Sequence, residues 1–165
     1  VEMAKPRNVL EVGTFSGYSA LCLAEGLSED AHLYTFEIND EQEDFTRKWI
    51  EGSPLSDRIS FIIGNAIEEV PRIASEKGIA FDMAFIDGDK RTYVETYEMV
   101  LPLMSKGGWI LADNTLWDGH VIDPEYAKDN QTKGIRAFND VVANDDRVEK
   151  VMIPLRDGLT LIRKK

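Results

Sequence analysis

Residues 81–90 read FDMAFIDGDK: an apolar run that stops at Asp87 and turns through Gly88 and Asp89 to Lys90. Residues 107–114, GGWILADN, repeat the form, with apolar residues running into Asp113 and Asn114. Short apolar runs of this kind describe parallel strands buried on both faces, and open α/β sheets bind ligands at the carboxyl ends of such strands. Two carboxylates, an amide and a lysine gathered at one edge would make a site for a hard cation with a base beside it.

The rest of the chain alternates in the same way. Strand-like runs at 8–12 (NVLEV), 32–37 (HLYTFE) and 59–63 (ISFII) precede those at 82–86 and 109–112. Helical patterns fill the gaps at 18–27, 40–51, 67–77 and 92–104, with Pro71 near enough to the third start to be tolerated or to kink it. This order predicts a doubly wound α/β fold with helices on both faces of a mostly parallel sheet. The ending differs. After a helix at 133–143, runs at 148–155 and 159–163 flank Arg156-Asp157-Gly158, and Asp-Gly between strands signals an antiparallel hairpin. The longest irregular stretch, 115–132, directly follows Asp113-Asn114, and long loops in compact domains tend to carry function.

Composition narrows the class. A chain of 165 residues with 43% apolar content supports one domain with a real core. Thirty acidic against 19 basic residues give a formal charge of −11, which argues against nucleic acid and anionic membranes as partners. The single cysteine, Cys22, suits a reducing compartment. With no apolar run of membrane-spanning length and no leader pattern, the expected location is cytoplasmic.

The first strand–turn–helix, VLEVGTFSGYSAL, specifies a ligand. Gly13 and Gly17 permit a sharp turn and close backbone approach, but the spacing lacks the middle glycine of the dinucleotide fingerprint. Glu11 ends strand one, where it would repel a pyrophosphate and attract an ammonium or sulfonium. Glu37 ends strand two and suits two ribose hydroxyls. A ligand with a ribose, a positive charge and no phosphate is S-adenosylmethionine. Asn65-Ala66 either meets the adenine, Ala66 through its backbone, or caps a helix.

At the other end, all-oxygen ligands Asp87, Asp113 and Asn114 select Mg²⁺, Ca²⁺ or Mn²⁺ over zinc, with Mg²⁺ preferred because only three protein ligands are visible. Lys90 is either a proton acceptor or a solvated lysine paired with Asp87 or Asp89. Asp113-Asn114 would alternatively be a turn pair. Trp117, in the long loop, is placed to stack on a flat substrate, whereas Trp49 and Trp109 read as core or helix-packing residues. His32 and His120 form no zinc site or triad.

EVGTFSGYSAL, TFE, GNA, FIDGDK, LADN and PLRDGLTLIRK together resemble the cation-dependent O-methyltransferases related to caffeoyl-CoA and catechol O-methyltransferases, over essentially the whole chain. The resemblance implies a Rossmann-like, seven-stranded sheet whose last strands are antiparallel. It implies cofactor contacts at Glu11, Gly13, Thr14, Ser19, Glu37, Ala66, Asp87 and Asp89, and a divalent ion on Asp87, Asp113 and Asn114. Asp87 would also lie near a phenolic, catechol-like substrate contacted by Asp118, and in the catechol branch the lysine matching Lys90 is the base. Such relatives carry helices before strand one that form a lid and help build a dimer. The expectation is therefore one methyltransferase domain over 1–165 without those helices, acting as a homodimer. Three rival readings are a tRNA hydroxyuridine O-methyltransferase, a nicotinamide-dependent dehydrogenase and a non-catalytic domain that binds S-adenosylmethionine.

Overall fold

In the computed structural model, which describes residues 1–165, the apolar runs pair as the alternation predicts. Strands β1 (Asn8–Val12), β2 (His32–Glu37), β3 (Ile59–Ile63), β4 (Phe81–Ile86), β5 (Met104–Asp113), β6 (Val148–Ile153) and β7 (Leu159–Lys164) form one sheet in the order β3-β2-β1-β4-β5-β7-β6. β1 through β5 are mutually parallel, and β7 runs antiparallel to both β5 and β6. The chain winds outward from β1 to β3, then returns to lay β4 against the other side of β1. That reversal opens a crevice at the carboxyl ends of β1 and β4, where the Asp87 N–H bonds the Val12 carbonyl at 2.9 Å.

Alternating side chains of each strand feed two cores. Leu10, Tyr34, Phe36, Ala84, Ile110 and Ile162 pack with helices α3 (Ala66–Lys77), α4 (Tyr93–Leu103) and α5 (Asn130–Ala143) in a cluster of 22 buried residues. Val9, Leu33, Ile59 and Met83 pack with α1 (Tyr18–Glu25) and α2 (Glu43–Glu51) in a cluster of only 9. The difference reflects coverage: α1 and α2 sit over the β1–β3 half of their face. Beyond it, Phe85, Leu111, Leu161 and Val151 lie in register across β4, β5, β7 and β6, and Val151 is 54% exposed.

Some details depart from the sequence reading. Trp109 and Trp49 are 36% and 54% exposed rather than core, Trp109 because it faces outward on that bare half of the sheet. Pro71 sits inside α3, past the first turn. The hairpin connection is longer than a tight Asp-Gly turn, spanning 154–158, with positive φ at Arg156 and Gly158. The stretch 115–132 is not wholly irregular, since it holds short 3₁₀ turns at Trp117–Gly119 and Pro124–Tyr126 and the start of α5.

Candidate active site

The glycine loop after β1 is stitched to β2. Gly13 and Thr14 donate their N–H groups to the Phe36 carbonyl at 2.9 and 3.2 Å. Gly13 has φ +103°, and a Cβ there would lie 2.4 Å from the Asp87 carbonyl oxygen, so only glycine lets β1 and β4 end this close together. Phe15 adopts φ 46°; its N–H bonds Glu37 Oε2 at 2.8 Å, and its carbonyl accepts from the Thr46 hydroxyl. Glu37 Oε1 accepts from the Asn39 N–H at 2.9 Å. Both Glu37 oxygens are thus oriented by backbone, with lone pairs left for a ligand's hydroxyls. Beside them lies a cleft of about 380 Å³ whose lining includes Gly13, Glu37, Ala66, Asp87 and Asp89.

Glu11 is fully buried beneath this loop. Its Oε2 accepts from the Thr35 hydroxyl at 2.5 Å, and Thr35 in turn lies 2.6 Å from the Thr14 hydroxyl. Its Oε1 has no partner. Burial pushes the carboxyl up to about 7; the Ser19 and Thr35 hydroxyls oppose that shift and the Asp87 charge adds to it. A buried carboxylate oxygen without a donor is costly, and an ammonium supplied by a ligand would relieve it. The Thr14 side chain points inward, away from the cleft, so only its backbone is available to a cofactor.

Asn65 resolves as a helix cap. Its Oδ1 accepts the Ile67 N–H at 3.1 Å and its amide donates to Glu68 Oε1, leaving Ala66 to line the cleft. Asp89 caps the 3₁₀ turn Lys90–Thr92 and pairs with Arg91.

Lys90 is buried, not solvated. Its Nζ donates to Asp87 Oδ1 at 2.8 Å and to the Tyr93 hydroxyl at 2.7 Å, and it stands 5.9 Å from the Trp117 ring centre. The Tyr93 hydroxyl lies 3.1 Å from the Ile86 carbonyl and 3.0 Å from the Asp113 carbonyl, tying the ends of β4 and β5 to the lysine. α5 closes against the same turn because Gly134 has no side chain: a Cβ there would fall 2.2 Å from the Lys90 carbonyl oxygen. Burial raises Asp113 above the usual carboxylate range, Asp87 and Asp157 add to the push, and the Asn114 N–H and Lys90 oppose it. That repulsion between acidic groups is what a bound cation would relieve, and two carboxylates with an amide suit a hard ion. No group of three or more His, Cys, Asp or Glu side chains is arranged to hold a metal, so any ion here would depend on Asn114, water or acceptor oxygens.

Beyond Asp113 the chain strains. Asn114, Trp117 and Asp118 all take positive φ, at 57°, 49° and 52°. The β6–β7 connection braces them: Gly158 and Asp157 carbonyls accept from the Thr115 and Leu116 N–H groups, and the Asp157 side chain accepts from the Asp118 N–H. Arg136 of α5 holds the carbonyls of His120, Val121 and Asp123. An open cleft of about 700 Å³ results, lined by Phe85, Asp113, Asn114, Asp118, Leu155, Arg156, Asp157 and Leu159. Asp113, Asn114 and Asp118 therefore share this second cleft, while Gly13, Glu37, Ala66, Asp87 and Asp89 line the first and Glu11 lies buried beneath the glycine loop, lining neither.

Sequence reasoning passed over Thr35, Tyr93, Gly134 and Asp157. Only Thr35 carried a local signal, a hydroxyl inside the apolar run HLYTFE, beside Glu11 in the parallel register.

The whole chain, residues 1–165, matches the profile of an O-methyltransferase family. Caffeoyl-CoA O-methyltransferase 1 of Zea mays is 36% identical over 173 residues, covering 99% of this chain and 66% of that protein. The structure of an O-methyltransferase from Bacillus cereus in complex with SAH (S-adenosylhomocysteine) superposes with a TM-score of 0.92 at 34% identity, covering 100% of this chain and 77% of the other. TomG of Streptomyces achromogenes, an O-methyltransferase involved in tomaymycin synthesis and solved with SAM (S-adenosylmethionine), gives a TM-score of 0.92 at 27% identity, with 99% and 75% covered.

Proposed function

The chain belongs to the O-methyltransferase family, and from that premise we propose that it transfers a methyl group from S-adenosylmethionine to one of two vicinal hydroxyls on a small catechol-like acceptor, assisted by a divalent cation. The observation that carries the reading is the bonded link between the two clefts. Asp87, which lines the first cleft with Glu37, pairs with Lys90, and the Tyr93 hydroxyl that Lys90 also bonds lies against the carbonyl of Asp113 in the second.

In this reading Glu11 meets the ammonium of the donor, directly or through one water, and Glu37 takes the ribose hydroxyls. Backbone at Gly13, Thr14 and Ala66, with Ser19 and Asp89, frames the remainder. S-adenosylmethionine supplies an electrophilic methyl already activated by its sulfonium. A cation, Mg²⁺ before Mn²⁺ or Ca²⁺, would be held by Asp87, Asp113 and Asn114 and would supply acidification and chelation of paired oxygens. Lys90 receives the hydroxyl proton at Nζ. A neutral lysine would use its two N–H groups on Asp87 and Tyr93, the partners it has here, and turn its lone pair to the acceptor. Trp117 offers a flat face to the ring, and Asp118 a contact at the rim. Positioning of this kind is where most of the acceleration would arise.

The chain has no helix long and apolar enough to cross a membrane. We take it to act as a homodimer, for which the partly exposed apolar row across β4, β5, β7 and β6 offers area to bury; sedimentation velocity tests that. The direct test of the activity is methyl transfer to 3,4-dihydroxybenzoate or caffeate with Mg²⁺. Turnover should stop in excess chelator and return with added metal. Undiminished turnover under chelation would remove the cation from the reading, and failure with every catechol tried would remove the acceptor class.

A further inference from the structure

Glu11 and Thr35 are register partners on adjacent parallel strands, and each is wholly buried. Their bond is short, 2.5 Å, with the Thr35 hydroxyl donating to Glu11 Oε2. With the Thr35 hydrogen committed to Glu11, the 2.6 Å contact between the two threonine hydroxyls must be Thr14 donating to Thr35. The hydrogens therefore run one way, Thr14 to Thr35 to Glu11, and a chain polarised in one direction strengthens each bond. It satisfies one carboxylate oxygen and leaves the other, Oε1, outside hydrogen-bond reach of any donor in this chain, the neighbouring Ser19 hydroxyl included.

We propose that Thr35, backed by Thr14, is a positioning residue that orients Glu11 so that its free oxygen receives the cofactor's ammonium group, and that the cleft thereby selects an adenosyl thioether with an amino-acid tail over one without it. The inference rests on the cofactor reading above. Its force comes from separation of function within the cleft. Glu37 is oriented by the Phe15 and Asn39 N–H groups and takes no part in the threonine chain. Losing the chain should weaken recognition of the tail and spare recognition of the ribose.

Two probes differ in that tail: S-adenosylhomocysteine carries it, and 5′-methylthioadenosine keeps only the nucleoside and the thioether. Calorimetric titration of Thr35→Val, which preserves the shape of the side chain and removes the hydroxyl, should weaken S-adenosylhomocysteine by about tenfold or more, as expected for a lost hydrogen bond to a charged group. Binding of 5′-methylthioadenosine should change by less than about twofold in the same protein, and Thr35→Ser should restore the wild-type ratio of the two affinities. If Thr35→Val does not fold, Thr14→Val cuts the chain one step earlier and should shift the ratio in the same direction. Equal weakening of both ligands, or an unchanged ratio in a folded variant, overturns the proposal while the cofactor reading stands. Wild-type protein that binds neither ligand overturns both.

Discussion

Replacing Glu11 with glutamine should make the ligand-free protein more stable at alkaline pH. Glu11 has its ordinary value of 4.5 raised to about 7 in the folded chain, chiefly by burial. Each tenfold change in proton affinity is worth about 1.4 kcal/mol, so the displacement amounts to about 3 kcal/mol. Below pH 4.5 the group is protonated whether folded or unfolded. Between there and about 7 only the folded chain keeps its proton, so the contribution of this residue to stability falls as the pH rises and is fully lost above 7. Glutamine is neutral throughout, and its amide oxygen can still accept from the Thr35 hydroxyl. Wild type and Glu11→Gln should therefore melt together near pH 4.5 and diverge by about 3 kcal/mol at pH 8. In a domain of this size that is roughly 6 to 12 °C. Thermal unfolding across pH, without ligand, measures the divergence, and other titrating groups cancel in the difference between the two curves. Parallel curves would mean that burial does not hold Glu11 toward its neutral form. Saturating S-adenosylhomocysteine should narrow the gap by stabilising wild type more than the variant.

Gly134→Ala places a methyl 2.2 Å from the Lys90 carbonyl oxygen, so α5 must shift; a loss of about 1–3 kcal/mol by denaturant titration is expected, and unchanged stability would mean that the contact is slack. Asp113→Ala should lower catechol turnover by about a hundredfold or more through loss of the cation while S-adenosylhomocysteine binds as before; near wild-type turnover would contradict the assignment. Far from the clefts, hydrogen bonds from Arg147, with help from Tyr97, hold Asp145 well below the usual carboxylate range. That contribution is present above the ordinary carboxylate value and disappears as the pH falls through the folded one. Asp145→Asn should thus reduce stability by about 1–2 kcal/mol at pH 7, converge with wild type in strong acid, and leave cofactor affinity untouched; a pH-independent difference would be the contrary result.

All seven strands were legible because each is an apolar run closed by a polar or glycine turn, and the winding follows from their alternation with helices. Limits blurred where polar residues do the work. α5 begins at Asn130 rather than 133 because the Asp129 side chain caps the Thr132 N–H at 2.7 Å, which the polar start conceals. β5 extends back to Met104, pairing with Phe81 across an irregular register that no periodicity marks. Within the site, the carboxylates at strand ends were visible because a charge terminating a buried run is itself a signal. Lys90 was ambiguous: its burial depends on α5, more than 40 residues later. Tyr93, Gly134 and Asp157 were invisible for the same reason, since each acts on backbone distant in the chain. The bare apolar half of one face was equally hidden, because strand composition says that a face is apolar and not what covers it.

One sheet edge should hold a positively charged methyl donor beside a hard divalent ion. Crystals grown with S-adenosylhomocysteine and Mn²⁺, with data collected at the manganese edge, would show both at once. The ligand should lie between Glu11 and Glu37, with a single anomalous peak coordinated by Asp87, Asp113 and Asn114. Ligand density elsewhere, or a fully loaded cleft with no peak at those three residues, would contradict that arrangement.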